Sequence, residues 1–449
     1  MAQLIPSDEN DLTKVDASPT KAFFVEIITK DIQLDKAIQD LVDNCIDGAK
    51  RLRPGPDAKY TGLWVRLEVA PDRFLIEDNC GGIPLDIARK YAFKFGRAKG
   101  FQRTSHSVGQ FGVGMKRALF KMGDHFSVVS VEPEHSFHVD VDVPAWADND
   151  MNWDFTIADL KSGPPPDDKT GTRIEVTSLD PSVSTTFGQD WFLKKLRQDI
   201  RIVQQHPMRQ GLGISLNGVS IIPNEWQLKE GEGIEPAYRR FEDKLGESSP
   251  LVTRLYAGVG DSSRAHAGWY VFCNGRCILE ADQESTTGWS EITEEGIGVP
   301  KYHGQFARFR GYAFLDADDS GILPWNTTKT GLDLESDAYR KLRGRLIDIT
   351  RPVIDFLNNL DAEKDLEPAD KVLSSAITRA PAVVLEKIPE RARFSYSPPP
   401  RRGPTLARIS YQQPQAKVNK LKEAIEAHSN KELGEKSFDY AYANLVEEN

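Results

Sequence analysis

The stretch Leu34-Asp-Lys-Ala-Ile-Gln-Asp-Leu-Val-Asp-Asn-Cys-Ile-Asp-Gly-Ala49 constrains this fold more than any other part of the chain. At about 100° per residue it makes a helix whose Ile38, Leu41, Val42, Cys45, Ile46 and Ala49 share one broad apolar face. Such a face has to lie against a sheet or another helix. Asp40, Asn44 and Asp47 recur at i, i+4 and i+7 and fall together on the opposite face. Two readings of that trio stand side by side. One is a solvated surface. The other is a carboxylate that activates water beside an amide oxygen that holds Mg²⁺, a hard cation that keeps waters and phosphates in its shell.

Around this helix the pattern alternates between helical and strand-like stretches from Phe23 to about Asp180, an α/β signature. Leu63 to Val69 and Arg73 to Glu77 read as strands joined by a Pro-Asp turn. Phe126 to Val131, Phe137 to Val143 and Gly171 to Thr177 read the same way, with a loop over Ser162 to Asp168. Trp191 to Ile202 is helical, a strand-rich region runs to about Ala313, and Asp337 to Leu360 is helical again. A chain of 449 residues predicts two or three domains.

Composition narrows the function classes. A net charge of −10 gives no global attraction for nucleic acid. No apolar run approaches the ~18 residues of a membrane span, so no membrane association is expected. Met1 to Lys14 is acidic and polar, without a signal-peptide core. Four cysteines make no disulfide framework, and a reducing cytoplasm is the expected location. Cys273 and Cys277 flank Asn-Gly-Arg with no second Cys or His pair nearby, so no zinc shell is expected.

Two further segments carry chemistry. Ile76-Glu-Asp-Asn-Cys-Gly-Gly-Ile-Pro84 follows a strand. Its Asp78 is a candidate acceptor for an exocyclic amine such as that of adenine, and Gly81 and Gly82 let the backbone turn under a flat ring. An ordinary strand-to-loop turn is the alternative. Val108-Gly-Gln-Phe-Gly-Val-Gly-Met-Lys116 places Gly109, Gly112 and Gly114 before an apolar helix, a shape that aims backbone N–H groups at phosphate oxygens. Lys116 adds a mobile positive charge, and the required Gly-Lys-Ser/Thr of a Walker A loop is missing. Lys90 to His106, basic and flexible, with Lys94, Arg97, Lys99 and Arg103, reads as a lid over a polyphosphate or as a solvated surface loop.

Taken in order, these pieces resemble the GHKL superfamily of gyrase B subunits, large heat-shock chaperones, histidine kinases and MutL. Asp40 to Ala49 resembles the first box, Asp78 to Pro84 the second, Gly109 to Lys116 the third, and Gly171-Thr172 the Gly-Thr motif behind the adenine. The resemblance implies an α+β protein: a Bergerat α/β sandwich followed by a transducer domain with βαβ elements and a short helical tail. It implies ATP and Mg²⁺ as cofactors. Asn44 is the implied metal ligand, and Asn44, Asp47, Asp78, Gly82, Ile83, Gly109, Gly112, Gly114, Lys116 and Thr172 are the implied nucleotide contacts. Asp40 is the implied catalytic acid-base group, although Glu is usual there, and Cys80 stands where Gly is usual. In the gyrase, MutL and microrchidia branches a transducer sends a lysine to the γ-phosphate. Gly268 to Arg276 resembles its strand and Asn-Gly-Arg hairpin, and Leu323 to Gly331 its lysine loop, which gives Lys329 a catalytic role.

The expected organisation is an ATP-binding domain over 1–180, a transducer-like domain over 181–360, a Pro/Arg-rich linker over 361–409 and a helical element over 410–449. The expected function is ATP binding and hydrolysis driving ATP-gated homodimerisation or domain closure on a macromolecular partner. An ATP-binding switch with little turnover and a chaperone are the alternatives. Ser18 to Ile28 is either a strap across a partner subunit or a core strand. Arg391, Arg393, Arg401, Arg402 and Arg408, set among prolines, are either a DNA contact or a solvated linker, the partner then being a protein client.

Overall fold

The computed structural model describes residues 20–30, 32–55, 58–94, 107–108, 114–148, 152–165, 169–245, 250–290, 298–326, 328–397 and 409–447. It is an α+β protein built on two large sheets. The first contains β1 (Trp64–Ala70), β2 (Arg73–Asp78), β3 (Gly123–Val131), β4 (His135–Asp142), β5 (Ile157–Ser162), β6 (Gly171–Leu179), β7 (Gly213–Leu216) and β8 (Val219–Ser220), in the order β5-β4-β3-β6-β2-β1-β7-β8. Neighbours run antiparallel except β1 and β7, which are parallel. Along β1 the period-2 alternation buries Val65, Leu67 and Val69 and leaves Arg66 and Glu68 exposed.

Helices α1 (Lys21–Lys30), α2 (Leu34–Leu52) and the helix Gly114–Met122 pack together over this sheet. The expected apolar face of α2 is buried throughout, as are Asp35, Gln39, Asp40, Asp43 and Asp47. The reading of its polar face as solvated surface is therefore wrong, because a second layer covers it. The first core also takes in Leu196, Ile200, Leu212, Ile214, Leu216 and Ile221, so this body continues past residue 180. The reason is β7, which returns to lie parallel to β1.

The covering layer follows. Its strands are β9 (Gln227–Lys229), β10 (Ile234–Glu235), β11 (Ala237–Asp243), β12 (Leu251–Val259), β13 (Gly268–Cys273), β14 (Arg276–Asp282), β15 (Phe309–Asp316), β16 (Ala382–Val384) and β17 (Ser395–Tyr396). Five of them form the second sheet, β11-β12-β15-β13-β14. β13 is buried at every position and runs parallel to β15. The helix Asp337–Ala362 starts at a Ser336 cap that accepts from the Tyr339 N–H and lays Leu342, Leu346, Ile349, Val353 and Leu357 on the sheet.

Two expectations change here. Phe23 and Ile27 belong to the helix α1 and are about half exposed, so the segment is not a core strand. Lys21 anchors it, donating to the carbonyls of Trp146 and Asn152. The expected linker is folded up to Ser397. β16 pairs with β9 and β17 with β10, Ile388 and Phe394 are buried, and Arg391 is ion-paired to Glu230 at 2.7 Å. Its apolar residues, spaced between prolines, pack on the second layer, which composition alone does not reveal. Arg401, Arg402 and Arg408 lie outside the described residues. The tail forms two helices, Gln415–Ala424 and Asn430–Tyr442, which touch each other.

Candidate nucleotide site

The site grows from α2. Asp40 is buried, and its Oδ2 accepts from Arg117 at 2.6 Å. Its Oδ1 lies 3.5 Å from Lys329 Nζ. Gly114, the last glycine of the loop, sits directly above: a Cβ there would lie 3.1 Å from the Asp40 carboxylate. One turn on, Asn44 is half-buried and its side chain has no hydrogen-bond partner among the described residues. Asp47 Oδ1 accepts from the Val108 N–H at 2.7 Å, fixing the backbone where the glycine loop begins. Gly109 and Gly112 lie outside the described residues, as does most of Lys90 to His106.

The acidic turn lies at the end of β2. Asp78 is opposite Thr172 in the β2–β6 register. Its Oδ1 accepts from the Cys80 N–H at 2.7 Å, and the Cys45 thiol and Thr172 N–H also reach it. Burial outweighs these donors and raises the Asp78 carboxyl above its usual value. Gly171 lets β6 come this close, since a Cβ would fall 1.9 Å from the Asp78 carbonyl. Gly82 is left-handed at φ +73°, and the Ile83 N–H donates to Ser130 Oγ at 2.7 Å.

The two lysines differ from each other and, in one case, from expectation. Lys116 is buried, not mobile, and donates to the Ala92 carbonyl at 2.8 Å. Burial pushes its pKa down to about 7. The helix Gly114–Met122 turns it inward toward Ala92. Lys329 arrives from the second layer, on a loop closed by a Trp325–Leu332 bridge, with Asn326 Oδ1 accepting from Thr328 Oγ1 and the Thr330 N–H. Burial and the nearby Arg276 bring Lys329 down to about 8, against the pull of Asp40. Burial alone would raise the Asp40 carboxyl, but Lys329 and Arg117 together hold it below the usual carboxylate range.

The sequence reading gave Asp43 and Gln204 no role and placed Asn274 and Arg276 only in a hairpin. Asp43 is fully buried and accepts from Arg276, from Lys329 Nζ at 2.9 Å and from Gln204 Nε2 at 2.9 Å. Arg276 comes from the tip of the β13–β14 hairpin, a two-residue turn with Asn274 and Gly275 at φ +46° and +80°. Asn274 Nδ2 donates to the carbonyls of Ser107 and Ala317, and its own carbonyl accepts from Lys50 Nζ at 2.8 Å. The available signal was the second aspartate of Asp40-Leu-Val-Asp43, a further carboxylate beside the polar face of α2. Its arginine partner is 233 positions away.

The metal fits a sparse protein shell. Among the described residues no group of three or more His, Cys, Asp and Glu is arranged to hold a metal. A cation here would draw on the Asn44 oxygen, phosphates and water, the habit of Mg²⁺. Residues 32–165, which contain α2, the Asp78 turn and the glycine loop, match the sequence model of the family described as "Histidine kinase-, DNA gyrase B-, and HSP90-like ATPase". The chain carries a GHKL-type ATPase domain. The matched segment of this GHKL domain ends before β6, so Thr172 and all of the second layer lie outside it. No curated protein matches the chain. No described helix is long and apolar enough to cross a membrane.

Proposed function

We propose that the chain binds Mg-ATP between α2, the Asp78 turn and the glycine loop, and hydrolyses it slowly. One observation carries this reading. A buried carboxylate, an unpartnered amide and the end of the glycine loop meet on one face of α2, and a lysine 289 positions away reaches the same carboxylate. Asp78 takes the adenine amine, backed by Thr172, Gly82 and Ile83. Gly109, Gly112 and Gly114 hold the phosphates, and Asp47 fixes the entry to that loop. Asn44 supplies the protein oxygen for Mg²⁺, which neutralises phosphate charge when bound. Asp40 orients the attacking water and takes its proton, while Lys329 stabilises the charge that develops. The second layer acts as a transducer, and the output is ATP-gated closure or homodimerisation on a protein client or DNA. Four free, buried cysteines suit a cytoplasmic setting.

The test is phosphate release by the full chain with and without Mg²⁺ and DNA, alongside calorimetry. Wild type should turn over only with Mg²⁺, and Asn44→Ala should weaken Mg-ATP far more than metal-free ATP. No ATP binding by the folded wild type would sink the reading. A second reading is an ATP-binding switch. The Arg117 and Lys329 contacts favour it, because a carboxylate held below its usual range is a weak base. Nucleotide binding with no single-turnover hydrolysis would select it.

A further inference from the structure

Asp43 has no part in the catalytic scheme above, yet it is the most enclosed charge on α2. Three donors converge on it, from the β13–β14 hairpin, from the Lys329 loop and from Gln204, just after the helix Asp190–Val203. Lys329 sits closer to Asp43, at 2.9 Å, than to Asp40, at 3.5 Å. Three cations, Arg117, Arg276 and Lys329, make ion pairs with Asp40 and Asp43. Lys329 also holds a left-handed backbone at φ +55°, which a non-glycine residue keeps only where its surroundings over-determine it.

We propose that Asp43 is a positioning residue: it parks Lys329 beside Asp40 while the nucleotide is absent, and Arg276 takes over its charge when the γ-phosphate draws the lysine away. This rests on the ATP reading above. A buried carboxylate stripped of its only cation is strongly unfavourable. Asp43 avoids that state because Arg276 and Gln204 remain on it after Lys329 leaves. The exchange therefore costs little, and it frees Asp40 from one of its two cations at the moment ATP arrives. Arg117 stays and keeps Asp40 oriented.

The test uses the full chain and lysine-selective acetylation read by mass spectrometry. In wild type Lys329 should be protected both without nucleotide and with a non-hydrolysable ATP analogue. In Asp43→Asn it should react faster without nucleotide, on the order of tenfold, as expected for a lost buried ion contact, and recover protection with the analogue. Turnover of the double variant Asp43→Asn/Lys329→Ala should be no lower than that of Lys329→Ala alone. Unchanged Lys329 reactivity in nucleotide-free Asp43→Asn, or two losses that simply multiply, would overturn the proposal. If Asp43→Asn does not fold, a crystal structure of wild type with Mg²⁺ and the analogue decides. Lys329 on a γ-phosphate oxygen and Asp43 on Arg276 supports the proposal, and Lys329 still on Asp43 rejects it. Failure of wild type to bind ATP removes the functional reading, while the nucleotide-free protection of Lys329 by Asp43 is still measured on its own.

Discussion

Asp40 faces two opposing demands. A general base works best with a pKa near the working pH, but Arg117 and Lys329 hold this one low. On the proposed mechanism its charge is secure and its basicity weak, so orienting water would be its main contribution. Asp40→Asn should retain ATP affinity and lose turnover by roughly 10²–10⁴, checked by single-turnover hydrolysis. Lys116 and Lys329, at about 7 and about 8, titrate where most assays are run. A γ-phosphate beside Lys329 favours its charged form and raises it, so ATP binding at pH 8 should take up protons. Calorimetry in buffers of different ionisation enthalpy reads that number, and proton release instead would contradict it. The stability sign is the same as that of a salt-bridged carboxylate, in a window moved to higher pH. Both lysines bind protons more weakly folded than unfolded, where a lysine has its ordinary value of 10.5. The nucleotide-free fold therefore gains stability as pH rises from about 7 towards that value.

At the scale of elements, α2 acts as a post between two layers. Its apolar face closes the first core, and its acidic face is pinned by elements that come later in the chain. The β13–β14 hairpin does much of the pinning through Asn274, whose amide donates to Ser107 and Ala317 carbonyls and accepts from the Ala317 N–H at 2.9 Å. Asn274→Ala leaves these buried groups unpaired, at about 1–3 kcal/mol each. We expect a lower urea midpoint and faster proteolysis between residues 94 and 114, with Asp78 and the adenine end of the pocket unaffected. A wild-type midpoint would show that Ser107 and Ala317 find other partners.

At the scale of the molecule, Lys329 unites the two layers, since nothing near it in sequence belongs to the first sheet. Lys329→Ala should bind ADP normally and turn over ~10²–10³-fold more slowly, the usual loss for one such charge donor. The fold should survive, because Asp43 keeps Arg276 and Gln204. Light scattering with the ATP analogue then tests assembly. Wild type should self-associate through a face that includes Phe23 and Ile27 of α1, about half exposed here, and Lys329→Ala should do so less. Equal turnover in Lys329→Ala and wild type would separate the second layer from the chemistry.

The sequence by itself determined the local parts. Periodicity marked α2 and the strands of the first sheet, and glycine and aspartate spacing marked the Asp78 turn, because backbone geometry and amphipathicity act within a few residues. It also marked the Asn274-Gly275 hairpin, whose turn chemistry is local. Only the tertiary structure decided that the acidic face of α2 is buried, that Lys116 turns inward, that Ala382–Val384 and Ser395–Tyr396 are paired strands and not linker, and that Asp43 meets Arg276 and Lys329. Each of these depends on which surface a later part of the chain covers. A carboxylate on a helix looks the same in sequence whether water or an arginine 233 residues away completes its shell.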